Sequence, residues 1–327
     1  MNTPLIGVDI GGTKTEAALV DLPDPSDFSS HRVLERKRIP TDRSQGIEGY
    51  LDSVGKLIRD LIAPHSLDFK DLKGIGIGLP GAVHPGLQRM VQGSIPFFKN
   101  RDLPQLFRQA FDYQGKMIFE NDANCFALAE ASFGAGAEWA ESNRVPAREL
   151  CLLGITLGTG VGGGIVVKGD LIRGRRGGAG EIGHMSLGEC DRSCYCGKYG
   201  CAEQFLSGPA FELSYRARTG VPPGVPARQI FELARRKDPF AVSTLEAYKD
   251  HLVRFLSNLS NLLDPHVIVL GGGLSLEDEI FEGVESRLSE GCFLTVDPPA
   301  VLRHRLGDSG GSIGAAYLAL KEGSISA

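Results

Sequence analysis

Apolar positions in this chain fall into short unbroken runs that end in glycine and longer stretches with helical spacing. The first run, Leu5-Ile6-Gly7-Val8-Asp9-Ile10, meets Gly11-Gly12-Thr13-Lys14 and is followed by a second apolar run, Thr15 to Val20. A strand, a glycine turn and a returning strand predict a β-hairpin. Past the middle the series recurs: Leu152 to Leu157, then Gly158-Thr159-Gly160-Val161-Gly162-Gly163-Gly164, then Ile165-Val166-Val167. Two halves that open alike predict an internal duplication and two related α/β lobes.

Between the hairpins the pattern predicts a helix over Gly46 to Ile62 and strands over Ile75 to Leu79 and Lys116 to Phe119. The second strand runs into Glu120-Asn121-Asp122 and a helix from Ala123 to Phe133. Residues 134–149 read as a surface connection. Leu252, Phe255, Leu256, Leu259 and Leu263 keep helical spacing over Ala247 to Leu263, and Asp264-Pro265 stops that helix. Val267 to Leu270 reads as a buried strand leading into Gly271-Gly272-Gly273. Ser275 with Asp278 three residues on suggests a capping box opening another helix. The last helix, Ser312 to Leu320, is long enough to fold back on the first lobe. Asp21 to Ser30, with two prolines and three aspartates, reads as a flexible hairpin tip.

Composition narrows the classes. The 327 residues carry a net charge of −5, which gives no electrostatic case for nucleic acid or an anionic membrane surface. No apolar run approaches membrane-spanning length, and the N-terminus lacks the basic-then-apolar layout of a signal peptide, so a cytoplasmic location is expected. Of the seven cysteines, Cys125, Cys151 and Cys292 are isolated. Cys190, Cys194, Cys196 and Cys201 crowd into one segment, which suggests a metal before a disulfide.

Glycine spacing alone would mislead. Gly76-Ile-Gly78-Leu-Pro-Gly81 and Gly158-Thr-Gly160-Val-Gly-Gly163 match a dinucleotide fingerprint by letters. The first contains Pro80, and the second runs into a strand where a helix is required. No Walker A loop occurs. What remains is two hairpin turns, each with backbone N–H groups and a hydroxyl, Thr13 or Thr159. They are either ordinary tight turns or a two-sided phosphate grip, and the matching Gly-Thr chemistry favours the grip. Lys14 would add a point charge, and Asp9 could hold Mg²⁺ through water.

At the end of its strand, Asn121 or Asp122 is a natural N-cap for the following helix. Asp122 is also placed to act as a base, although a helix N-terminus would lower its pKa. Further on, His184 with Cys194, Cys196 and Cys201 supplies the nitrogen–thiolate set of a tetrahedral structural zinc; the alternative is a group of reduced thiols. Cys190 is less regularly spaced and is left out. Glu181 and Glu203 flank this loop and can accept hydrogen bonds from sugar hydroxyls. His184 could bind metal through one ring nitrogen and a hydroxyl through the other.

These residues together resemble the ROK family of repressors, open reading frames and sugar kinases, within the actin/hexokinase-like ATPases. The match runs through Asp9-Ile-Gly-Gly-Thr-Lys14, Gly78-Leu-Pro-Gly81, Glu120-Asn-Asp-Ala-Asn124, Leu157 to Gly164, Gly180-Glu-Ile-Gly-His184, the cysteine run ending at Glu203, and Val269 to Gly273. The resemblance implies an α/β, two-lobed actin-like (ribonuclease H-like) fold with a cleft between lobes and a small zinc loop. The division expected is a small lobe over 1–122 completed by a C-terminal helix at 312–327, and a large lobe over 123–311 carrying the zinc segment 181–203.

It also implies that Asp122 takes the proton from a sugar hydroxyl and that Gly81, Asn121, Glu181, His184 and Glu203 hold the sugar. Gly11, Gly12, Thr13 and Lys14 with Gly158, Thr159 and Gly160 would cradle the phosphates of ATP-Mg²⁺, and Gly271, Gly272 and Gly273 would lie near the adenosine. Family members usually form homodimers. Many of its sugar kinases carry an Asn before the Pro that here follows Ser94-Ile95, which suggests broader hexose acceptance. The function expected is ATP-dependent phosphorylation of a hexose at its 6-hydroxyl. The alternatives are an N-acetylhexosamine kinase or a non-catalytic sugar-binding regulator. A repressor would need an added N-terminal helix-turn-helix, and the first core strand begins at Leu5.

Overall fold

The computed structural model describes residues 4–22, 30–220, 222 and 224–321, so residues 23–29 of the expected hairpin tip lie outside the described residues. The first half of the chain forms β1 (Pro4–Ile10), β2 (Lys14–Asp21), β3 (Arg32–Pro40), α1 (Gly46–Ile62) and β4 (Gly74–Leu79). A small ribbon, β5 (Gly81–Val83) and β6 (Met90–Gly93), then precedes α2 (Leu103–Phe111) and β7 (Met117–Asn121). Five of these strands make a mixed sheet in the order β3-β2-β1-β4-β7. β1 pairs antiparallel with β2 and parallel with β4, so β1 is the central strand of the sheet.

The second half opens with α3 (Asp122–Ser132) and α4 (Ala135–Ser142). It continues through β8 (Cys151–Leu157), β9 (Val161–Val167), β10 (Asp170–Leu171), α5 (Glu203–Leu206), α6 (Gly208–Thr219), α7 (Ala227–Arg235) and α8 (Pro239–Leu263). It closes with β11 (Val267–Gly271), α9 (Val284–Gly291), β12 (Ala300–Arg303) and α10 (Gly310–Lys321). Its sheet runs β10-β9-β8-β11-β12, the order of the first sheet repeated. The duplication expected from the two hairpins is thus present in the strand pairings: antiparallel β8–β9, then parallel β8–β11 and β11–β12.

Two helices tie the sheets together, and glycines set how closely. α10 lies on β1 and β4, where a Cβ at Gly7 or Gly76 would collide with the Ser312 or Ala315 carbonyl. α3 lies on β8 and β9 in the same way: a Cβ at Gly154 would come within 2.7 Å of the Ala127 Cβ, and one at Gly164 within 2.6 Å of the Ala123 carbonyl. The two helices touch each other where a Cβ at Gly314 would strike the Cys125 carbonyl. One apolar cluster accordingly joins Ile118, Cys125, Phe126, Leu152, Val267, Ala315 and Tyr317.

Three local expectations change. Residues 134–149 are more than a surface connection, because α4 forms within them. The Glu130 carboxylate accepts the Ala135 N–H at 2.8 Å, and Ala135, Gly136 and Ala140 are buried. The helix expected from Ser275 is replaced by two short 3₁₀ turns, Gly273–Leu276 and Asp278–Ile280. Ser275 turns back, its hydroxyl donating to the Gly272 carbonyl at 2.7 Å, and Asp278 pairs with Arg303, so neither is available for a capping box. The long helix begins at Pro239, eight residues before Ala247, with Asp238 accepting from the Phe240 and Ala241 N–H groups.

Candidate active site

A cleft of about 440 Å³ is bordered by the β1–β2 turn, the β8–β9 turn, the start of α3 and the cysteine loop. Gly12 and Thr13 line it from the first turn and Gly158, Thr159 and Gly160 from the second. Gly81, Ser94, Asn121, Asp122, Glu181, His184 and Glu203 complete the expected set that meets there. Asp9, Gly11, Lys14, Gly271, Gly272, Gly273 and the three cysteines do not line it.

The residues at the start of α3 divide their roles. Asn121 is the N-cap: its Oδ1 accepts the Asn124 N–H at 3.0 Å, and its Nδ2 donates to the Gly81 carbonyl at 3.2 Å. Glu120 is buried and ion-paired with Arg173, and its Oε1 accepts the Asn121 N–H at 2.8 Å and the Asn124 side chain at 2.9 Å. That network fixes the strand end and leaves Asp122 facing the cleft. The Ala123 N–H donates to Asp122 Oδ1 at 2.9 Å, the lowering influence expected of a helix N-terminus. It is outweighed. Burial, then the charge of Asp9 and further on that of Glu181, push the Asp122 carboxyl up to about 8. The expected loss of basicity is therefore reversed, and a base near neutrality suits proton transfer better.

Asp9 sits in β1 opposite Glu16, and a Cβ on Gly311 of α10 would come within 2.6 Å of its Oδ2. Burial and Glu16 push its carboxyl up to about 6, against the pull of Lys14 and Arg38. Glu16 is buried and ion-paired with Arg38, so the half-buried Asp9 is the carboxylate that a hard dication would relieve, and Mg²⁺ fits beside it. Gly11 donates to the Lys14 carbonyl at 2.9 Å and closes the turn. Gly271 ends β11 and Gly272 follows it, behind the second turn. Gly272 has a φ of +82°, and a Cβ there would come within 2.5 Å of the Leu157 carbonyl, so glycine is required at the root of that turn. Gly273 has open space around its Cα.

Glu203 joins the turn to the cysteine loop. Its Oε2 accepts the Val161 N–H at 3.1 Å, and the Cys194 thiol donates to its Oε1 at 3.8 Å. His184 lies between the two regions as expected. Nδ1 faces Cys194 Sγ at 3.5 Å, whereas Nε2 faces the Tyr195 hydroxyl at 2.9 Å and Glu181 at 3.9 Å. One ligand atom from each of His184, Cys194, Cys196 and Cys201 lies within 4.8 Å of all the others. Two thiolates about 2.3 Å from a tetrahedral zinc stand about 3.8 Å apart, and Cys196 Sγ and Cys201 Sγ are 3.6 Å apart. The donor set and its spacing fit a tetrahedral dication. Cys190 is turned away and accepts from the backbone N–H and Nε of Arg192 at 3.4 Å.

Comparison with known proteins decides the family: the ROK family model matches residues 5–322. The chain belongs to the ROK family. A Pectobacterium atrosepticum protein called N-acetyl-D-glucosamine kinase is 34% identical over 97% of this chain and 99% of its own length. A Yersinia enterocolitica protein of the same name is 33% identical over 97% and 99%. Among solved structures, a ROK family glucokinase from Streptomyces griseus in complex with glucose and AMPPNP has a TM-score of 0.79 at 29% identity. It covers 98% of this chain and all of that one, 100%. The actin-like ATPase fold of the ROK family accounts for the paired sheets.

Pro80, Thr156, Val161 and Gly162 line the cleft beside expected residues; two others, Tyr195 and Arg43, escaped the sequence reading. Tyr195 lies between two cysteines, where its ring packs edge-on to His184 with centroids 5.0 Å apart. Arg43 follows β3, a strand that was not expected, so nothing in the sequence placed it near the first turn. Position alone hid both residues. An aromatic between two clustered cysteines and an arginine after a polar strand each read as solvated surface.

Proposed function

We propose that the protein is an N-acetyl-D-glucosamine kinase that transfers the γ-phosphoryl group of ATP to the sugar's 6-hydroxyl, with Asp122 as the base. The broader class, an ATP-dependent sugar kinase of the ROK family, is that of its full-length relatives. The expectation of an unmodified hexose gives way to the amino-sugar alternative, because the relatives matched at 33–34% identity over nearly the whole chain carry that name. Ser94 on the cleft wall is compatible with this reading. It is shorter than the Asn expected there and leaves more room beside the sugar.

The observation that carries the catalytic reading is the placing of Asp122, a carboxyl pushed up by burial, in one cleft with two glycine turns and Glu181, His184 and Glu203. In this reading the sugar binds against Glu181, Glu203 and the Gly81 loop, with Asn121 holding that loop to the base. The backbone N–H groups of the turns at 11–14 and 158–160 receive the phosphates. Asp122 accepts the hydroxyl proton as the oxygen attacks in line, and ADP leaves with the electron pair of the broken bond. Mg²⁺ beside Asp9 would supply neutralising charge to the phosphates when bound. The segments 1–122 with 312–321, and 123–311, are read as two lobes that close on the substrates and exclude water. Gly271 to Gly273 are assigned to the adenosine side.

His184, Cys194, Cys196 and Cys201 are assigned to a structural zinc, which would fix the knuckle and hold His184 by Nδ1 with Nε2 toward the cleft. Metal analysis of the purified protein is expected to find about one zinc per chain. Full activity in metal-free protein would remove the assignment. The function itself is tested by ADP release with N-acetylglucosamine, N-acetylmannosamine, glucose, fructose and mannose. N-acetylglucosamine is expected to give the highest kcat/KM, and a preference for glucose would return the hexokinase reading.

A further inference from the structure

Among the described residues lining the cleft, Asp122, Glu181 and Glu203 are carboxylates, and Arg43 is the one lysine or arginine. It begins a 3₁₀ turn, Arg43–Gln45, whose N-cap Asp42 accepts the Ser44 N–H at 3.0 Å. Its guanidinium spans two loops. One nitrogen donates to the Ser94 carbonyl at 3.2 Å, and the other donates to the Gly12 carbonyl at 3.1 Å. Both acceptors are neutral, so these bonds orient the cation without neutralising it. Both are long and exposed, so exchanging one for a charged acceptor costs little. The exchange would happen at the phosphate turn itself, since Gly12 belongs to it and Asp122 borders the same cleft.

We propose that Arg43 binds the γ-phosphoryl group of ATP and stabilises its charge during transfer, held in place by the Gly12 and Ser94 carbonyls. This rests on the kinase reading above. The cleft otherwise presents three carboxylates to a polyanion, and a planar guanidinium with five donors can keep one carbonyl while turning others to phosphate oxygens. Arg43 gains and loses no proton in the step. The proton goes to Asp122, the new bond joins the sugar oxygen to phosphorus, and the bond to the ADP oxygen breaks. Because its second tether is the Ser94 loop on the sugar side, the guanidinium is placed between the two substrates.

The test uses the full chain with Arg43→Gln and Arg43→Lys. Steady-state rates are measured on the sugar that the wild type phosphorylates best, and calorimetry measures affinity for ADP, for the β,γ-imido analogue of ATP and for the sugar. Arg43→Gln is expected to lower kcat by about 10²–10³-fold, the loss seen when one charge-stabilising donor is removed. Affinity for the imido analogue should fall by about 10-fold, while ADP and sugar affinities stay within about twofold. Arg43→Lys should recover part of kcat, because charge returns without the fork. A kcat for Arg43→Gln within about threefold of wild type would overturn the proposal. So would equal losses for ADP, the imido analogue and sugar, which mark a structural role. If the wild type phosphorylates no sugar, the kinase reading fails by itself. The contrast between ADP and the imido analogue then still decides whether Arg43 meets a γ-phosphoryl group.

Discussion

The β1–β2 and β8–β9 hairpins hold the same two places in their sheets, and their registers can be laid over one another. The last pair before the turn is Ile10 with Thr15 in one and Leu157 with Val161 in the other. One step back, the first hairpin has Asp9 opposite Glu16, and the second has Thr156 opposite Gly162. The helices laid on them are complementary. Against Asp9, α10 brings Gly311; against Gly162, α3 brings Ala123, whose Cβ would lie 2.9 Å from an added Cβ, directly after Asp122. On the first hairpin the carboxylates come from the strands, Asp9 and the Arg38-paired Glu16; beside the second, Asp122 comes from the helix. The duplication preserved the backbone and divided the charge: Asp122 lines the cleft, Asp9 does not, and the charge of Asp9 adds to burial in raising the affinity of Asp122 for its proton.

The largest effect expected from breaking this arrangement is at Asp122. Asp122→Asn keeps the size of the side chain and removes the proposed base. It is expected to lower kcat by about 10²–10⁴-fold, the range for a positioned general base. Sugar affinity by calorimetry should stay close to wild type. Turnover near the wild-type rate would mean that the charge on α3 serves some other purpose than the proton.

A smaller effect is expected from filling the second hairpin. A Cβ on Gly160 would come within 2.5 Å of Glu203 Oε2, whereas one on Gly158 would meet nothing within 4 Å. Gly160→Ala should therefore displace the carboxylate that the Val161 N–H anchors and raise KM for the sugar by about 10-fold, on the order of 1.4 kcal/mol. Gly158→Ala should leave that KM within about twofold. Equal effects in the two variants would show that the turn, and not the Glu203 contact, sets the need for glycine.

The two hairpins were legible in the sequence because each is a local pattern, an apolar run closed by glycines. The knuckle was legible for the same reason: Cys194, Cys196, Cys201 and Glu203 lie within ten residues of one another, and only His184 had to be brought in. What escaped depends on partners far along the chain. The fate of Ser275 was set by the turn at Gly272 and by Arg303 drawing off Asp278. The direction of the Asp122 shift was set by burial that no local pattern reveals, and then by Asp9, more than a hundred residues away. Helix-terminus reasoning gave the correct sign for the Ala123 N–H and the wrong sign for the residue, because the nearer influence was the weaker one.

That reversal can be measured without substrate. In the unfolded chain an aspartate releases its proton near its ordinary value of 3.8, but in the folded protein Asp122 keeps its proton up to about 8. The folded state therefore holds more protons between these values, and the wild type loses stability as pH rises from about 4 to about 8. Asparagine does not titrate. The difference in Tm between Asp122→Asn and the wild type should be near zero below pH 4, grow through neutrality and level off above pH 8. A plateau of about 1–2 °C corresponds to about 1 kcal/mol for a chain of 327 residues, a modest value because the cleft is open to water. The apo protein without divalent ions is the proper material, since a dication beside Asp9 would pull the carboxyl back down and shrink the difference. Adding Mg²⁺ is expected to do just that. A pH-independent gap would mean that Asp122 ionises like an exposed carboxylate and that neither burial nor the charge of Asp9 raises it.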